Sequence, residues 1–303
     1  MKINQLKAGA ALSYISMGLG YIISIIYTPV MIRLLGQSEY GLYNLIASVV
    51  SYLGLLNFGF GSAYIRYYSR FRVKNDQESI AKLNGMFLIV FSIIGFISAL
   101  AGVVLTINTG TILGSELTTN EMATAKVLMG IMVGNIAFSF PNVVFNSHIT
   151  ANEQFMFQKF LNMIKIVANP FLVLPMLLAG YGSIGMVIVT TVLNISVEIS
   201  NIFFCLKKLN MKFLFHKYDF SLMKEMSVFS FYIFINMVVD EINWNVDKFI
   251  LGRFHGTVSV AVYGIAAQLN VYYKSLSTTI SQVFIPRVNK IVTATNDNND
   301  LTN

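Results

Sequence analysis

The sequence predicts an all-α polytopic membrane protein of about eight transmembrane helices, one six-helix lobe plus the start of a second, parallel-repeat lobe. Three observations lead there. Hydrophobic residues make up 55% of the chain and charged residues 12%, against roughly 25% charged in an ordinary soluble domain. That leaves too little polar surface to coat a globule of 303 residues. Five stretches, 8–32, 40–65, 83–115, 127–152 and 166–197, contain no Asp, Glu, Lys or Arg, and about 20 apolar residues suffice for a helix to cross hydrocarbon. Nor do these runs alternate apolar with polar, as barrel strands of about 10 residues do.

The first span, 10–32, follows Lys2 and Lys7; its apolar run is too long for a signal peptide and lacks a convincing small-x-small cleavage site. The second covers 40–62 and the third 84–107, which ends at the turn "NTGT". The fourth covers 126–147, and "GYGS" divides the fifth, 160–180, from the sixth, 183–206. The seventh and eighth cover 228–249 and 260–284. Pro29, Pro141, Pro170 and Pro175 fall in or near spans, where each removes a backbone donor. Between the sixth and seventh spans, Lys207–Met226 mixes Lys with Phe, Leu and Met and reads as an amphipathic helix on the inner leaflet. The expected domains are a lobe of 1–206, a cytoplasmic linker of 207–227, and the first two helices of a truncated second lobe, 228–303.

Loop charge sets the orientation. With the N-terminus cytoplasmic, 15 Lys and Arg residues fall on the inner side and only Arg33, Lys248 and Arg253 on the outer side. The net charge of +7 is thereby explained by topology, and nucleic acid is not an expected partner. Cys205 is the only cysteine, so there is no disulfide framework. His148, His216 and His255 lack metal-ligand spacing, so no metal and no cofactor are expected. "GYGSIG" matches a dinucleotide fingerprint by spacing alone and reads as a tight outer hairpin.

The chain also repeats itself. "IRLLGQSEYGLYNL" (Ile32–Leu45) joins the first two spans, and "FILGRFHGTVSVAVYGI" (Phe249–Ile265) joins the seventh and eighth with four extra residues if their Leu-Gly pairs correspond. "FGSAYIRYYSRF" and "SQVFIPRVNKI" then each place an Arg near the inner surface. An offset of six spans, an even number, makes the copies parallel about an axis along the membrane normal, a known transporter plan.

In these residues, and in "NVDKFILGRFHGTVSVAVYGIAAQLN", the chain resembles the Wzx-type oligosaccharide flippases of the multidrug/oligosaccharidyl-lipid/polysaccharide exporter superfamily. The resemblance implies two helical lobes around a cavity that opens alternately to either side. It further implies a polysaccharide-biosynthesis function in the bacterial inner membrane: moving an undecaprenyl-diphosphate-linked oligosaccharide to the outer leaflet, alongside polymerase or glycosyltransferase partners. A multidrug or cation antiporter of the related branch is the alternative. A membrane glycosyltransferase or polymerase ranks below both, because no loop exceeds about 20 residues, and the chain is not expected to be an enzyme.

Candidate path residues are the ionisable groups inside spans. Asn236, Asp240, Asn243 and Asp247 fall within about 60° of arc on one helix. A central Asp costs about 2.5–3.5 kcal/mol in lipid, so that stripe should face a cavity or another helix. Glu241 shares a second face of the helix with Lys248. Lys165, Glu198 and Lys274 complete the set: cations for a diphosphate or acidic sugar, carboxylates for a coupling H+ or Na+. Arg33 and Arg66 belong at the interfaces with membrane-lipid headgroups.

Overall fold

The computed structural model describes residues 5–114, 117–215 and 220–295, with side chains for 12–114, 117–215 and 221–274. The helices, in chain order, are α1 (Gln5–Leu35), α2 (Gln37–Ser51), α3 (Phe60–Val73), α4 (Gln77–Ile107), α5 (Thr109–Leu113), α6 (Thr119–Ala151), α7 (Phe155–Leu178), α8 (Gly182–Lys207) and α9 (Phe220–Thr295). A 3-10 segment, Tyr52–Asn57, joins α2 to α3. Among the described residues there is no strand, and seven helical segments are long and apolar enough to cross a membrane. The difference from eight arises in α9. Its 54-residue apolar segment, Ser221–Lys274, counts once but is two helices meeting at a kink at Gly256, between the expected seventh and eighth spans. One compact unit extends through Ala261 and residues from Val262 form another.

Small residues let the long helices approach. On α4, Gly95, Ser98 and Gly102 are buried on one stripe, and a Cβ at Gly102 would lie 2.1 Å from Val133 of α6. A Cβ at Gly95 would lie 2.7 Å from the carbonyl of Ala137, the group that Pro141 leaves without its helical donor. Pro29, Pro141, Pro170 and Pro175 all sit within helices that continue past them. The cluster between α3, α4 and α6 is aromatic, with Tyr64, Phe87 and Phe91 buried. It encloses a polar chain in which Tyr64 Oη meets Asn84 and lies 2.8 Å from His148 Nδ1. His148 thus has a structural setting.

The second expected span is not one helix. Phe58 and Gly59 adopt left-handed backbone between the 3-10 segment and α3. The break admits α9, because a Cβ at Gly59 would lie 2.6 Å from Ile233.

The stretch read as an amphipathic surface helix departs further. Asn210–Phe215 has no regular secondary structure, 216–219 lie outside the described residues, and the residues from Phe220 on are helical. The Leu214 amide donates to Ala81 O at 2.9 Å, Asn84 Nδ2 donates to Lys212 O at 2.8 Å, and Met211 is buried. Local amphipathicity loses here to tertiary hydrogen bonds: the strap lies on α4, where Gly85 leaves room for the Leu214 backbone.

Opposite ends of the helices differ in chemistry. One end carries Arg70, Arg72 and Lys74 beside the α6–α7 turn, where Arg72 donates to Ala151 O at 3.1 Å. There Asp76 caps α4, and the Ser79 hydroxyl and then the Ser79 amide hold its carboxyl below the usual carboxylate range. The other end gathers the glycine turns. Glu39 accepts from the Ser183 amide and hydroxyl, each at 2.7 Å, capping α8 at the "GYGS" turn. Glu121 closes a capping box with Thr118 and also accepts from Ser38 and, at 2.9 Å, from Thr257. Arg253 donates to the carbonyls of Thr111 and Ile112 at 2.9 and 2.6 Å.

This end also corrects the repeat register. The second hairpin turns at Gly256, not at Gly252, and Gly256 (φ 75, ψ 178) has nearly the conformation of Gly36 (φ 81, ψ 161). Aligned on these glycines, the copies need no insertion: Arg33, Gly36 and Tyr43 correspond to Arg253, Gly256 and Tyr263. Gly252 has another purpose. A Cβ there would lie 2.4 Å from Leu45, so it lets α9 close on α2.

Candidate functional site

Three apolar helices each carry one polar row. Ser139, Asn142 and Asn146 step by three and four along α6; Gln158, Asn162 and Lys165 step by four and three along α7; Asn194, Glu198 and Asn201 do the same along α8. Such spacing puts each row on one helix face, and the three rows converge on a single cleft of about 290 Å³, whose remaining lining is Val143 and Val197.

Within it Lys165 and Glu198, 33 residues apart in sequence, face each other from α7 and α8. Asn142 Nδ2 donates to Phe138 O at 3.2 Å and reaches Glu198 Oε2 at 3.4 Å. Gln158 binds Asn146 and Thr150 near the basic end. Carboxamides therefore dominate, with one ammonium and one carboxylate among them. In hydrocarbon such groups are costly unless they meet partners or water, so a polar interior between these helices is where this sequence can place them. Asn194 also lines a second cleft of about 250 Å³ with Tyr43, Ser51, Asn135, Thr190 and Thr191.

The remaining expected residues are distributed as follows. Glu241 is half-buried on the α9 face that meets α2, where it accepts from the Ser51 hydroxyl and from Asn245 Nδ2, the latter at 2.7 Å. Asn236, Asp240, Asn243 and Asp247 are all exposed. Asn236 Nδ2 donates to Tyr232 O of its own helix at 3.0 Å. Arg33 is exposed at the Gly36 end, and the Arg66 guanidinium lies 4.6 Å from the Phe229 ring centre at the basic end. Lys274 is exposed in the unit that begins at Val262. The side chains of Lys7, Arg287 and Lys290, and residues Lys2, His216 and Lys217, lie outside the described residues. Among the described residues no group of three or more His, Cys, Asp or Glu is placed to hold a metal ion.

Reading charges alone found Lys165 and Glu198 but passed over the amides around them. The signal was present as Asn, Gln and Ser at helical spacing along otherwise apolar helices. Glu39 and Glu121 were missed for another reason: their partners lie 144 and 136 residues away.

Comparison with known proteins agrees with this architecture. No curated protein matches the chain. A solved structure, "protein A", matches it with a TM-score of 0.71 at 19% identity, covering 95% of this chain and 65% of its own. The likeness bears on the fold, and the present chain spans less than two thirds of that structure's length. The polysaccharide biosynthesis protein family matches residues 6–292. Family match and apolar helices together describe a multi-pass membrane protein concerned with polysaccharide biosynthesis. The chain belongs to the polysaccharide biosynthesis protein family, the family of the Wzx-type flippases.

Proposed function

We propose that this protein moves a lipid-linked oligosaccharide, of the undecaprenyl-diphosphate kind, from the cytoplasmic to the outer leaflet of a bacterial inner membrane. The observation that carries the reading is the cleft between α6, α7 and α8, a run of polar faces inside helices otherwise apolar enough to span. A hydrated headgroup crosses hydrocarbon only along such a surface. Two helical lobes rock about it, the second beginning with α9. Lys165 and the carboxamides meet the headgroup; Glu198 and Asp240 are the candidate carriers of a coupling H+ or Na+. Asp240, Asn236, Asn243 and Lys274 contribute the second lobe's share of the passage, and Glu241 holds α9 to α2 through Ser51. Arg33 and Arg66 contact lipid headgroups, the N-terminus is cytoplasmic, and a polymerase or glycosyltransferase works beside the transporter.

Deletion of the gene should leave lipid-linked repeat units on the inner leaflet and remove surface polysaccharide. The native gene should restore it, whereas Lys165→Ala and Asp240→Asn, inserted at normal levels, should restore less than a tenth. A deletion strain with normal glycan and altered drug sensitivity would contradict the proposal and favour the antiporter.

A further inference from the structure

We infer that the cleft between α6, α7 and α8 is a sugar-reading subsite that takes the hydroxyl- and amide-bearing end of the headgroup and excludes its diphosphate. The inference rests on the flippase reading and adds which part of the substrate this site receives.

The argument is one of donors and acceptors. Asn142 Nδ2 is committed to Phe138 O and Glu198 Oε2 at 3.2 and 3.4 Å, which fixes the orientation of its amide. Its Oδ1 is buried without a hydrogen-bond partner in the chain, as are the Oδ1 atoms of Asn194 and Asn201. Asn142 is 5% exposed and Asn201 8%. With Glu198 these are acceptors that need donors, and they stand beside donors, the Lys165 ammonium and the carboxamide N–H groups, so the cleft presents both kinds of group. A diphosphate at neutral pH has acceptor oxygens and no donor, so it would leave the carboxamide and carboxylate acceptors unmatched. A sugar hydroxyl donates and accepts, and an N-acyl amide on a sugar does both through separate atoms.

Charge and size agree. One ammonium and one carboxylate leave the cleft formally neutral, whereas anion sites concentrate cations. Lys165 also repels a monovalent metal ion, the other ligand that acceptors would suit. A volume of about 290 Å³ stands at the small end of the roughly 300–1,000 Å³ of ligand pockets, the scale of a single sugar residue.

The test uses membrane vesicles bearing the full chain with Asn162→Cys. Asn162 is exposed at the cleft and Cys205 is buried, so maleimide reports position 162. A free N-acetylhexosamine disaccharide should slow labelling at least threefold, while sodium pyrophosphate and sodium chloride leave the rate unchanged. Adding Asn142→Leu or Asn201→Leu should abolish the protection; if either fails to insert, Asn142→Ala and Asn201→Ala replace them. Protection by pyrophosphate or by sodium chloride, sugar protection that survives these substitutions, or no protection by sugar would each overturn the inference. Each of those results leaves the flippase reading to its own assay. Normal clearance of lipid-linked units in the deletion strain would remove that reading even where sugar protects.

Discussion

Glu121 does two things with one carboxylate. As the third residue of α6 it returns to the Thr118 amide, and it also takes hydroxyl donors from Ser38 of α2 and Thr257 of α9. Removing a cap costs about 1 kcal/mol, and a double-mutant cycle separates that local loss from the tertiary one. Glu121→Ala and Thr257→Val should show a coupling of about 0.5–2 kcal/mol in detergent unfolding, whereas Glu121→Ala with a substitution at the distant Ser92 should be additive. Additivity at Thr257 would deny the contact any energetic role. Whether a residue of this kind is legible beforehand depends on where its partner lies. The Thr118–Glu121 spacing is local and carries the capping-box pattern in four residues, but nothing local announces Ser38 or Thr257. Lys165 and Glu198 were legible because charge inside an apolar span is costly wherever it points. The asparagines around them were equally patterned, and only a reading that weighs amides like charges would have joined them to the site.

Elements tell a similar story at longer range. The spans follow from apolar run length, and their ends shifted outward because helix continues past the hydrocarbon edge until a cap or glycine stops it: α4 starts at Gln77 behind Asp76, and α6 starts at Thr119 behind Thr118. Two breaks escaped notice. The Phe58–Gly59 break serves the approach of α9, and the Asn210–Phe215 strap serves hydrogen bonds to α4, so both depend on distant partners. The α4–α6 contact is open to direct test. Gly102→Ala puts a methyl 2.1 Å from Val133 and should destabilise the protein by about 1–3 kcal/mol through overpacking. Val133→Ala should recover at least half of that loss in the double variant. Equal stability of Gly102→Ala and the native protein, by thermal unfolding in one detergent, would show that the helices do not meet as closely as described.

For the whole molecule, the two matched hairpins meet at the glycine end. Gly41 leaves room for the Thr257 carbonyl, and the Ser38 and Thr257 hydroxyls lie 3.1 Å apart. If alternating access separates the lobes there, tethering that pair must stop it. A Ser38→Cys/Thr257→Cys protein, oxidised in membranes, should lose surface-glycan export and regain it on reduction; undiminished export with the bond formed would mean this end need not open. The account's central claim is that the oligosaccharide itself passes along the polar rows of α6, α7 and α8. A photo-crosslinking amino acid placed at Asn162 in growing cells measures that directly, with the exposed Phe171 of the same helix as the control. The account predicts a glycan-bearing adduct at position 162 and only phospholipid at position 171. Glycan captured equally at both positions, or at 171 alone, would contradict it.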